Sequence, residues 1–395
     1  MADCHIGAWR DPKLKNLSMK AFIKAVDISF ERKVDFILIS GDLFNTSMPG
    51  IDYLKETTRK LKEIKEKDIP VYVIPGSHDQ SPSGKTMLDV LEEAGLLINV
   101  FKGRVQEKRL VLDFTVDKKT GAKITGILGR RGMLDRKFYE HLAKANLERE
   151  AGTKIFMFHT AVTELKPKEL DKMDSNPISF LPKGFEYYAG GHVHIVRNEK
   201  LEGYKNIVLP GPLMPTNFAE LEKLKRGSFY IYNHGKLEMI PIELVKVYPV
   251  QIDATNRTPE EVYEMIEQFT TVKDFSNTIV LIRIFGELKV GRPNDVNFRE
   301  IFKKLYDQKA FFVMKNTSKL TSEEFEEIKI STSSVEDVEN AIIKEHLGQI
   351  KSSFSDEQGI TKKLIKSLSE ERHEGEKVYE YEERVKKEIN KILEV

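Results

Sequence analysis

Five short segments of this sequence have the form of a turn that carries histidine or aspartate. Four of these turns follow the runs "FILIS", "VYVI", "KIFMF" and "YYA", and the first turn stands at the amino terminus. In an open α/β sheet the carboxyl ends of the strands converge on one crevice, so the turns are expected to meet there. The side chains brought together would be those of Asp3, His5, Asp42, His78, His159, His192 and His194.

Imidazole and carboxylate groups in this combination suit manganese, iron or zinc. One carboxylate between two histidine-rich half-sites favours a centre with two metal ions, which at ~3.5–4 Å separation can bind a phosphate ester and activate a water. Each turn alone is a weak signal, because a single histidine or a Gly-Asp pair after a strand is common in ordinary turns. The presence of all five turns in one chain favours a metal centre.

The order of strand and helix patterns predicts how the chain is organised. Alternating strands and helices followed by hairpins predict an α/β sandwich with mixed sheets over residues 1–245. Residues 246–319 have the pattern of a small α+β domain. Residues 320–335 are polar and linker-like, and residues 336–395 carry apolar side chains at helical spacing. The sequence therefore predicts two folded domains, a linker and a set of carboxy-terminal helices.

Three local patterns in the first domain give specific predictions. The apolar run "LVLDFTV" at residues 110–116 predicts one strand, and the spacing over residues 136–150 predicts one helix. The segment "GSFYIYNHGKLEMIPIEL" predicts a hairpin that turns at Asn233-His234-Gly235.

Composition narrows the class of protein. The single cysteine, Cys4, excludes an intrachain disulfide and is typical of a reducing cytoplasm. No apolar run approaches the ~20 residues that a membrane span needs. Residues from Leu320 onward contain 12 Lys+Arg and 19 Asp+Glu, whereas the preceding residues contain 51 and 43. A basic body with an acidic tail allows a polyanionic substrate for the body and a different partner for the tail.

The order of the five motifs resembles that of the calcineurin-like metallophosphoesterases, whose fold is a four-layer α-β-β-α sandwich. A closer resemblance, over roughly residues 1–245, is to the nucleases of the meiotic-recombination type (SbcD-like), which repair DNA double-strand breaks. It rests on the segments "ADCHIG", "ISGDLF", "VIPGSHD", "FHTAVTE", "AGGHVHI" and "LPGPLMPTNFAE". A small DNA-binding cap domain at 246–319 and partner-binding helices at 336–395 also suit that family.

The resemblance implies a manganese-dependent endonuclease and 3′–5′ exonuclease that processes DNA ends in the cytoplasm, in association with the nucleoid. Its DNA substrates would include double-stranded ends, single strands and hairpins. A homodimer would form through the helices near 51–67 and 86–94. The carboxy-terminal helices would bind the coiled coil of an SMC-like ABC ATPase; the alternative is that they pack on the body or on each other.

The same resemblance assigns roles to the site residues. Two Mn²⁺ ions would bind per chain, and His78 would be the catalytic residue that helps to protonate the leaving oxygen. The ligands of the first ion would be Asp3, His5, Asp42 and His194. The ligands of the second ion would be Asp42, His159, His192 and Ser77.

Three departures from the family pattern bear on activity. Ser77 stands where the family has Asn, and its shorter hydroxyl is a poorer ligand than an amide oxygen, so the second ion is expected to bind more weakly. Asn45 stands where relatives have a second active-site His, which puts exonuclease strength in doubt. Only Met1 and Ala2 precede Asp3, where the family has a full strand. We therefore expect a preceding strand to be missing and the first ligand pair to be poorly held.

Other residues near the motifs are candidates for contact with DNA, although solvated charge or an ordinary turn explains each of them as well. These candidates are Trp9, Arg10, Lys102, Arg104, Arg130, Arg131, Gly211, Pro212, Thr216 and Asn217.

Two further functions fit the same residues. Ser77, Asn45 and the short start are compatible with a catalytically weakened scaffold that binds DNA ends and recruits the ATPase. A phosphodiesterase acting on small substrates would share the metal centre, but it needs neither a cap domain nor terminal helices.

Overall fold

The chain forms two compact units, Met1–Glu324 and Phe325–Val395. The computed structural model describes residues 1–81, 83–270, 274–322, 356–370 and 378–393. Most of the predicted linker and the apolar pattern predicted between 338 and 347 lie outside the described residues. Among the residues described, no helix has the length and apolar character needed to cross a membrane.

The α-helices and β-strands are numbered here in chain order. The described α-helices are α1 (Leu17–Glu31), α2 (Ile51–Glu66), α3 (Met87–Glu93), α4 (Arg136–Glu140), α5 (Lys144–Arg149), α6 (Phe218–Leu224), α7 (Pro259–Thr270), α8 (Phe298–Asp307), α9 (Glu357–Ser369) and α10 (Val378–Leu393). The described strands are β1 (Ile37–Ser40), β2 (Val71–Ile74), β3 (Ile98–Asn99), β4 (Gly103–Gln106), β5 (Arg109–Leu112), β6 (Thr115–Val116), β7 (Lys123–Ile127), β8 (Lys154–His159), β9 (Tyr187–Gly191), β10 (Val196–Leu201), β11 (Tyr204–Pro210), β12 (Gly227–Asn233), β13 (Lys236–Ile242), β14 (Lys246–Asp253), β15 (Thr278–Leu288) and β16 (Phe312–Ser322).

Two sheets stack to form the centre of the first unit. One is parallel, with the order β1-β2-β3, and the other has six strands in the order β10-β11-β9-β8-β7-β6. In the six-stranded sheet β7, β8, β9 and β11 run parallel, and β10 and β6 are antiparallel edge strands. Helices α1 and α2 pack with the first sheet and α4 and α5 with the second, which gives the predicted four-layer α-β-β-α sandwich.

Strand β8 shows why this sequence forms a buried central strand. All six of its residues are buried, because the next sheet covers one face and helices cover the other. Ile155 and Met157 join the core between the two sheets, while Phe156 and Phe158 join the core under α4 and α5. Side chains alternate between the two faces of a strand, so one continuous apolar run supplies both cores.

The chain between Lys246 and Ser322 forms a third sheet with its own apolar core. Its three strands, β14, β15 and β16, all run parallel, and α7 and α8 connect them. Strand β16 continues to Ser322, three residues beyond the predicted domain boundary, and pairs there with Leu288. In the second unit, α9 and α10 contact each other. The assignment of these parts as a cap domain and as partner-binding helices stays a prediction.

Two predicted elements are interrupted, and both predictions were wrong in extent. The helix predicted over 136–150 is split, since Leu110 of β5 accepts a hydrogen bond from Ala143 N–H and donates its own N–H to His141, each at 2.9 Å. The strand predicted over 110–116 divides at Asp113, because β5 pairs with β4 whereas β6 pairs with β7. Backbone hydrogen bonds to distant partners therefore override the local pattern at both places.

The predicted hairpin is confirmed. Strands β12 and β13 pair from Gly227 to Ile242, and Asn233 lies opposite Lys236. The two-residue loop between them has positive φ at both positions, 43° at His234 and 85° at Gly235. Positive φ at both central residues is the geometry that matches the twist of a two-residue hairpin.

The first residues of the chain lie alongside the end of β1. The amide of Ser40 donates to the Met1 carbonyl at 3.0 Å, Asp3 N–H donates to Gly41 at 3.1 Å, and His5 N–H donates to Asp42 at 2.9 Å. The first pair of predicted ligands is thus held by backbone hydrogen bonds. A groove of about 230 Å³ beside Met1 is lined by residues of β1, β9, β11 and β12. The expectation of a preceding strand stays a prediction.

Candidate metal centre

The predicted site residues meet at the carboxyl ends of strands from both stacked sheets. Asp42 follows β1, and Ser77 and His78 follow β2 of the first sheet. His159 ends β8, and the segment with His192 and His194 follows β9 of the second sheet. Asp3 and His5 approach from the amino-terminal segment. The convergence expected from the sequence is therefore present in the fold.

One half of the site brings together Asp3, His5, Asp42 and His194. The Nε2 atoms of His5 and His194 lie 2.9 Å apart. Asp3 Oδ1 is 3.6 Å from His194 Nε2, and Asp42 Oδ2 is 3.7 Å from His5 Nε2. Donor atoms of Asp3, His5 and His194 thus lie within 4.8 Å of one another, as a first metal ion requires, and Asp42 approaches this group at His5.

The other half is arranged around Asp42 and His159. Asp42 Oδ2 lies 3.1 Å from His159 Nε2 and 3.5 Å from the hydroxyl of Ser77. The ring of His192 stands 5.1 Å from that of His159, and its backbone N–H donates to Asp3 Oδ1 at 3.0 Å. Among the described residues, three groups have possible ligand atoms within 4.8 Å of one another. Together the groups include six of the seven histidines and aspartates identified from the sequence, and His192 is the one that they leave out. His192 therefore lies at the margin of the donor set.

The hydrogen bonds around two histidines leave a ring nitrogen of each facing the site. His159 Nδ1 contacts the Ser40 carbonyl at 2.8 Å, and His194 Nδ1 contacts Glu220 Oε1 at 2.9 Å. Each contact places a hydrogen on Nδ1, so in the neutral ring Nε2 carries a lone pair, as in histidines that bind metals. Within the described part of the chain, buried His159 Nε2 makes no hydrogen bond although it faces Asp42 Oδ2. This close pair of buried atoms fits a bound cation, either a proton on the imidazole or a divalent metal ion that displaces the proton.

The electrostatics of the site also favour a cation. Burial lowers the pKa of His5 and that of His192 to about 3, so both imidazoles are neutral at neutral pH, which is the form that binds metal. Burial opposes charge on His159, but the carboxylates of Asp42 and Asp3 outweigh it and raise the pKa of His159 to about 10. The two buried carboxylates thus stabilise positive charge between them.

Backbone strain is concentrated on the predicted ligands. Five of them have φ between 42° and 98°, a region that residues other than glycine seldom adopt. Such strain costs about 1–3 kcal/mol per residue and persists where the surrounding structure imposes it, commonly at functional sites. The five residues are Asp3, His5, Asp42, His192 and His194.

Glycines allow the ligand loops to approach one another closely. A Cβ atom on Gly76 would lie 2.2 Å from Asp42 Oδ1 and 2.3 Å from the Asp42 nitrogen. A Cβ atom on Gly41, where φ is +85°, would lie 2.1 Å from His159 Nδ1. The glycines of the predicted motifs are therefore needed for the positions of Asp42 and His159.

His78 is held at the edge of the site with its ring half-buried. Its backbone N–H donates to Asp42 Oδ1 at 2.7 Å, and its Nδ1 donates to the carbonyl of Asn45 at 2.7 Å. Arg131 lies 3.5 Å from the same nitrogen, and the ring stands 4.9 Å from that of His5. His78 also falls in a group with His5 and Asp42 that could hold an ion. Its Nε2 is available either to a metal or to a substrate.

Two carboxylates that support the site were given no role in the sequence analysis. Asp79 accepts hydrogen bonds from the amides of Leu43, Phe44 and Gly76 at 3.3, 3.0 and 2.9 Å, and so joins the loops after β1 and β2. Burial and Asp42 raise its pKa to about 7. Glu220 contacts His194, and although burial opposes ionisation, His194 and the Thr216 hydrogen bonds lower the pKa of Glu220 to about 2. The Asn-x-x-Glu pattern before an apolar run could have drawn attention to Glu220.

Of the residues proposed for DNA contact, several have partners within the chain. Trp9 Nε1 donates to the Pro215 carbonyl at 3.1 Å, so it anchors the first loop. Lys102 and Arg104 form ion pairs with acidic neighbours at 3.3 and 3.2 Å. Arg131 lies closest to the predicted chemistry, beside His78.

A shallow cleft of about 270 Å³ opens onto the site. His78, His192, His194 and Asp42 contribute to its lining, together with Ser77 and Glu220, while Leu170, Met173 and Val193 supply apolar surface. The cleft can therefore admit a phosphate ester with an apolar portion beside it.

Comparison with known proteins agrees with this geometry. The model of the calcineurin-like phosphoesterase family matches residues 1–196. The chain is 27% identical over 286 residues to the DNA double-strand break repair protein Mre11 of Archaeoglobus fulgidus, covering 64% of this chain and 60% of that protein. It is 30% identical over 259 residues to the Mre11 of Sulfurisphaera tokodaii, covering 63% of each. It is 26% identical over 363 residues to that of Sulfolobus acidocaldarius, covering 89% of this chain and 88% of the relative.

The match to the first two of these relatives spans less than two thirds of their length. All three relatives share the same described role, and the family match ends two residues beyond His194. Residues 1–196 are therefore a calcineurin-like phosphoesterase domain, and the chain resembles the archaeal DNA double-strand break repair proteins called Mre11.

Proposed function

We propose that this protein is a manganese-dependent DNA nuclease that processes DNA ends in double-strand-break repair. The observation that carries the proposal is the convergence of Asp3, His5, Asp42, His159 and His194 at one place, where His5 and His194 Nε2 lie 2.9 Å apart and His159 Nε2 lies 3.1 Å from Asp42 Oδ2. The similarity to archaeal repair proteins supports DNA as the substrate. Endonuclease and 3′–5′ exonuclease action both belong to the proposal.

The proposed ligand sets follow the two halves of the site. Asp3, His5, Asp42 and His194 would hold one ion, and Asp42, His159, His192 and Ser77 the other. A pair of divalent ions supplies a nucleophilic hydroxide at neutral pH and neutralises the charge of the phosphate. The buried positions of Asp42 and His159 exclude bulk water from the ligand atoms on that side.

We assign to His78 the transfer of a proton to the leaving oxygen. A water that has lost one proton to solvent would add to phosphorus as hydroxide, the bond from phosphorus to the sugar oxygen would break, and that oxygen would take the proton of His78, which His78 regains from solvent. The hydrogen bond from His78 Nδ1 to the Asn45 carbonyl fixes the ring, and the transferred proton is the one on Nε2 of the imidazolium, in which both ring nitrogens carry hydrogen. Asn45 thus orients the catalytic residue through its backbone, whatever its side chain does.

The test is Mn²⁺-dependent cleavage of single-stranded circular DNA and of blunt linear duplex by the purified chain. Cutting of both would support the proposed function, and the ratio between them reports on exonuclease strength. DNA binding through lysine and arginine contacts with phosphate is expected to weaken steeply as salt increases. DNA binding without cutting would favour the scaffold, and turnover of small phosphodiesters alone would favour the small-substrate enzyme.

Ser77→Asn is expected to tighten the weaker of the two Mn²⁺ sites. The Ser77 hydroxyl is buried and 3.5 Å from Asp42 Oδ2, and an amide oxygen on a longer side chain is a better metal ligand. We expect at least a tenfold gain in affinity, or about 1.4 kcal/mol. Calorimetric titration with Mn²⁺ measures it, with Ser83→Asn in the same loop as the control. Unchanged affinity would remove Ser77 from the ligand set.

We also propose an SMC-like ABC ATPase as partner of the carboxy-terminal helices, and a homodimer formed through α2 and α3. Leu368 of α9 is 59% exposed, and Ile51 at the start of α2 is 83% exposed, so both present apolar surface. Amphipathic helices commonly lay such side chains on a partner helix or coiled coil. The proposal also includes the division of the chain into nuclease, cap and helical domains. It places the protein in the cytoplasm, in association with the nucleoid.

Changing Leu364 and Leu368 to Glu is expected to abolish co-purification with the ATPase, because charges would replace the apolar contact. Cleavage by the nuclease body in Mn²⁺ is expected to persist. The control is Lys362→Glu with Lys366→Glu, which also adds negative charge but keeps the leucines. Co-purification that survives the leucine changes would refute the assignment of this surface.

A further inference from the structure

Helix α6 places one carboxylate against a predicted metal ligand. Glu220 Oε1 accepts the Nδ1–H of His194 at 2.9 Å. Its other oxygen, Oε2, accepts the backbone N–H of Thr216 at 2.8 Å and the Thr216 hydroxyl at 3.0 Å. The carboxylate is therefore fixed on both sides, with one oxygen directed at the histidine ring.

The contact with Glu220 determines which nitrogen of the His194 ring carries the hydrogen and which one faces the site. With hydrogen on Nδ1, Nε2 presents a lone pair, and this atom lies 3.6 Å from Asp3 Oδ1 and 2.9 Å from His5 Nε2. His194 also has a strained backbone, with φ at 51°, and its side chain is 17% exposed. A ring at the margin of a cleft, on a strained loop, needs an external partner to keep one orientation.

A purely structural role for Glu220 is the competing explanation. Asn217 caps α6 by accepting the Glu220 N–H at 3.0 Å, and the Thr216 contacts complete a local network at the helix start. That network would exist without the histidine. The oxygen that faces His194 is not the one that binds Thr216, although Asn217 Nδ2 also donates to it at 2.6 Å. Metal affinity reports the contact with His194, and thermal unfolding reports the local network, so the two measurements separate the two roles.

We propose that Glu220 is a positioning residue for the metal centre, which fixes the tautomer and the ring orientation of His194. The inference rests on the proposed function only in requiring that a metal ion binds here. A carboxylate behind a metal-bound histidine raises the basicity of the ligand, and removal of such partners commonly weakens metal affinity 10–100-fold. Only the site that includes His194 should be affected, because among the described residues no contact joins Glu220 to another proposed ligand.

The experiment is calorimetric titration of the full chain with Mn²⁺, comparing unchanged protein with Glu220→Ala and Glu220→Gln. Glu220→Ala is expected to weaken one of two sites by about 10–100-fold and to leave the other unaltered. Glu220→Gln keeps an oxygen that can accept the histidine hydrogen bond, so it is expected to recover part of the affinity. Thermal unfolding in a chelator reports the structural cost of each change separately.

Glu222→Ala is the matched control on the same helix. Glu222 faces Arg283 of β15, with contacts of 2.7–2.9 Å, and contacts no predicted ligand among the described residues. It is expected to lower the unfolding temperature while both Mn²⁺ affinities stay as in the unchanged chain. An equal loss of affinity in both alanine variants would show a general effect of α6 and overturn the proposal.

The metal centre and the positioning role of Glu220 can be overturned separately. If the unchanged chain binds two Mn²⁺ ions and Glu220→Ala binds them equally well, the positioning role is overturned and the metal centre stands. If the unchanged chain binds no Mn²⁺, both the metal centre and the role of Glu220 are overturned. Metal binding without DNA cleavage would overturn the proposed nuclease, while selective loss of one site in Glu220→Ala would still support the positioning role.

Discussion

His78→Ala is expected to lower the rate of DNA cleavage by about 10²–10⁴-fold, the usual contribution of a positioned general acid. Both Mn²⁺ ions should still bind, because the backbone N–H of His78, which the substitution keeps, makes the 2.7 Å bond to Asp42. The measurement is single-turnover cleavage of circular single-stranded DNA, alongside Mn²⁺ titration. A loss of rate with intact metal binding identifies the proton donor.

The control for this substitution is His141→Ala. His141 is exposed. Among the described residues, its ring forms a hydrogen bond only with the Lys137 carbonyl, one helical turn earlier. It should leave cleavage unchanged. If His78→Ala instead loses one metal ion, His78 is a ligand, as its grouping with His5 and Asp42 also allows. Full activity in His78→Ala would refute either role.

Gly76→Ala is expected to abolish cleavage and to weaken both metal sites by at least about 100-fold. The added carbon would lie 2.2–2.7 Å from three atoms of Asp42, and neither the Asp42 backbone nor its carboxylate can move without disturbing the ligands around it. Asp42 is the carboxylate that both proposed sites share. Forcing an extra carbon into a packed site also costs about 1–3 kcal/mol of unfolding free energy.

Gly50→Ala provides the matched control, because its backbone is ordinary and the nearest atom to an added carbon, in the side chain of Tyr53, is 3.6 Å away. It should bind Mn²⁺ and cut DNA as the unchanged chain does. Mn²⁺ titration and thermal unfolding separate the two effects in Gly76→Ala. Normal metal affinity in that variant would mean that Asp42 is not the shared ligand.

Much of the site was predictable because its residues stand at the ends of apolar runs. Strands β2 and β8 match the predicted ranges, since a run buried on both faces permits only one simple arrangement. The turns after them then follow from the convergence of strand ends. The helix predicted over 136–150 failed because β5, about 30 residues earlier in the chain, competes for its backbone hydrogen bonds. No local pattern contains that competition.

The supporting residues were harder to predict for the same reason. Glu220 is 26 residues from His194, and Asp79 is 36 residues from Leu43. A carboxylate in such a role looks in sequence like any helix cap or turn residue. Ser40 acts through its backbone carbonyl, which carries no signature of side-chain type. Contacts between residues on different loops can be identified only when the fold is known.

The ligand atoms come from two different sheets: Asp42 follows β1 of one, and His159 and His194 come from β8 and the turn after β9 of the other. An ion bound to all of them would cross-link the two layers. Only the folded chain brings these ligand atoms together, so metal binding and folding are thermodynamically linked. At a free ion concentration 100 times the dissociation constant, one site adds about 2.7 kcal/mol to the free energy of unfolding. The resistance of this protein to heat should then vary with the supply of divalent metal around it, even where no DNA is present.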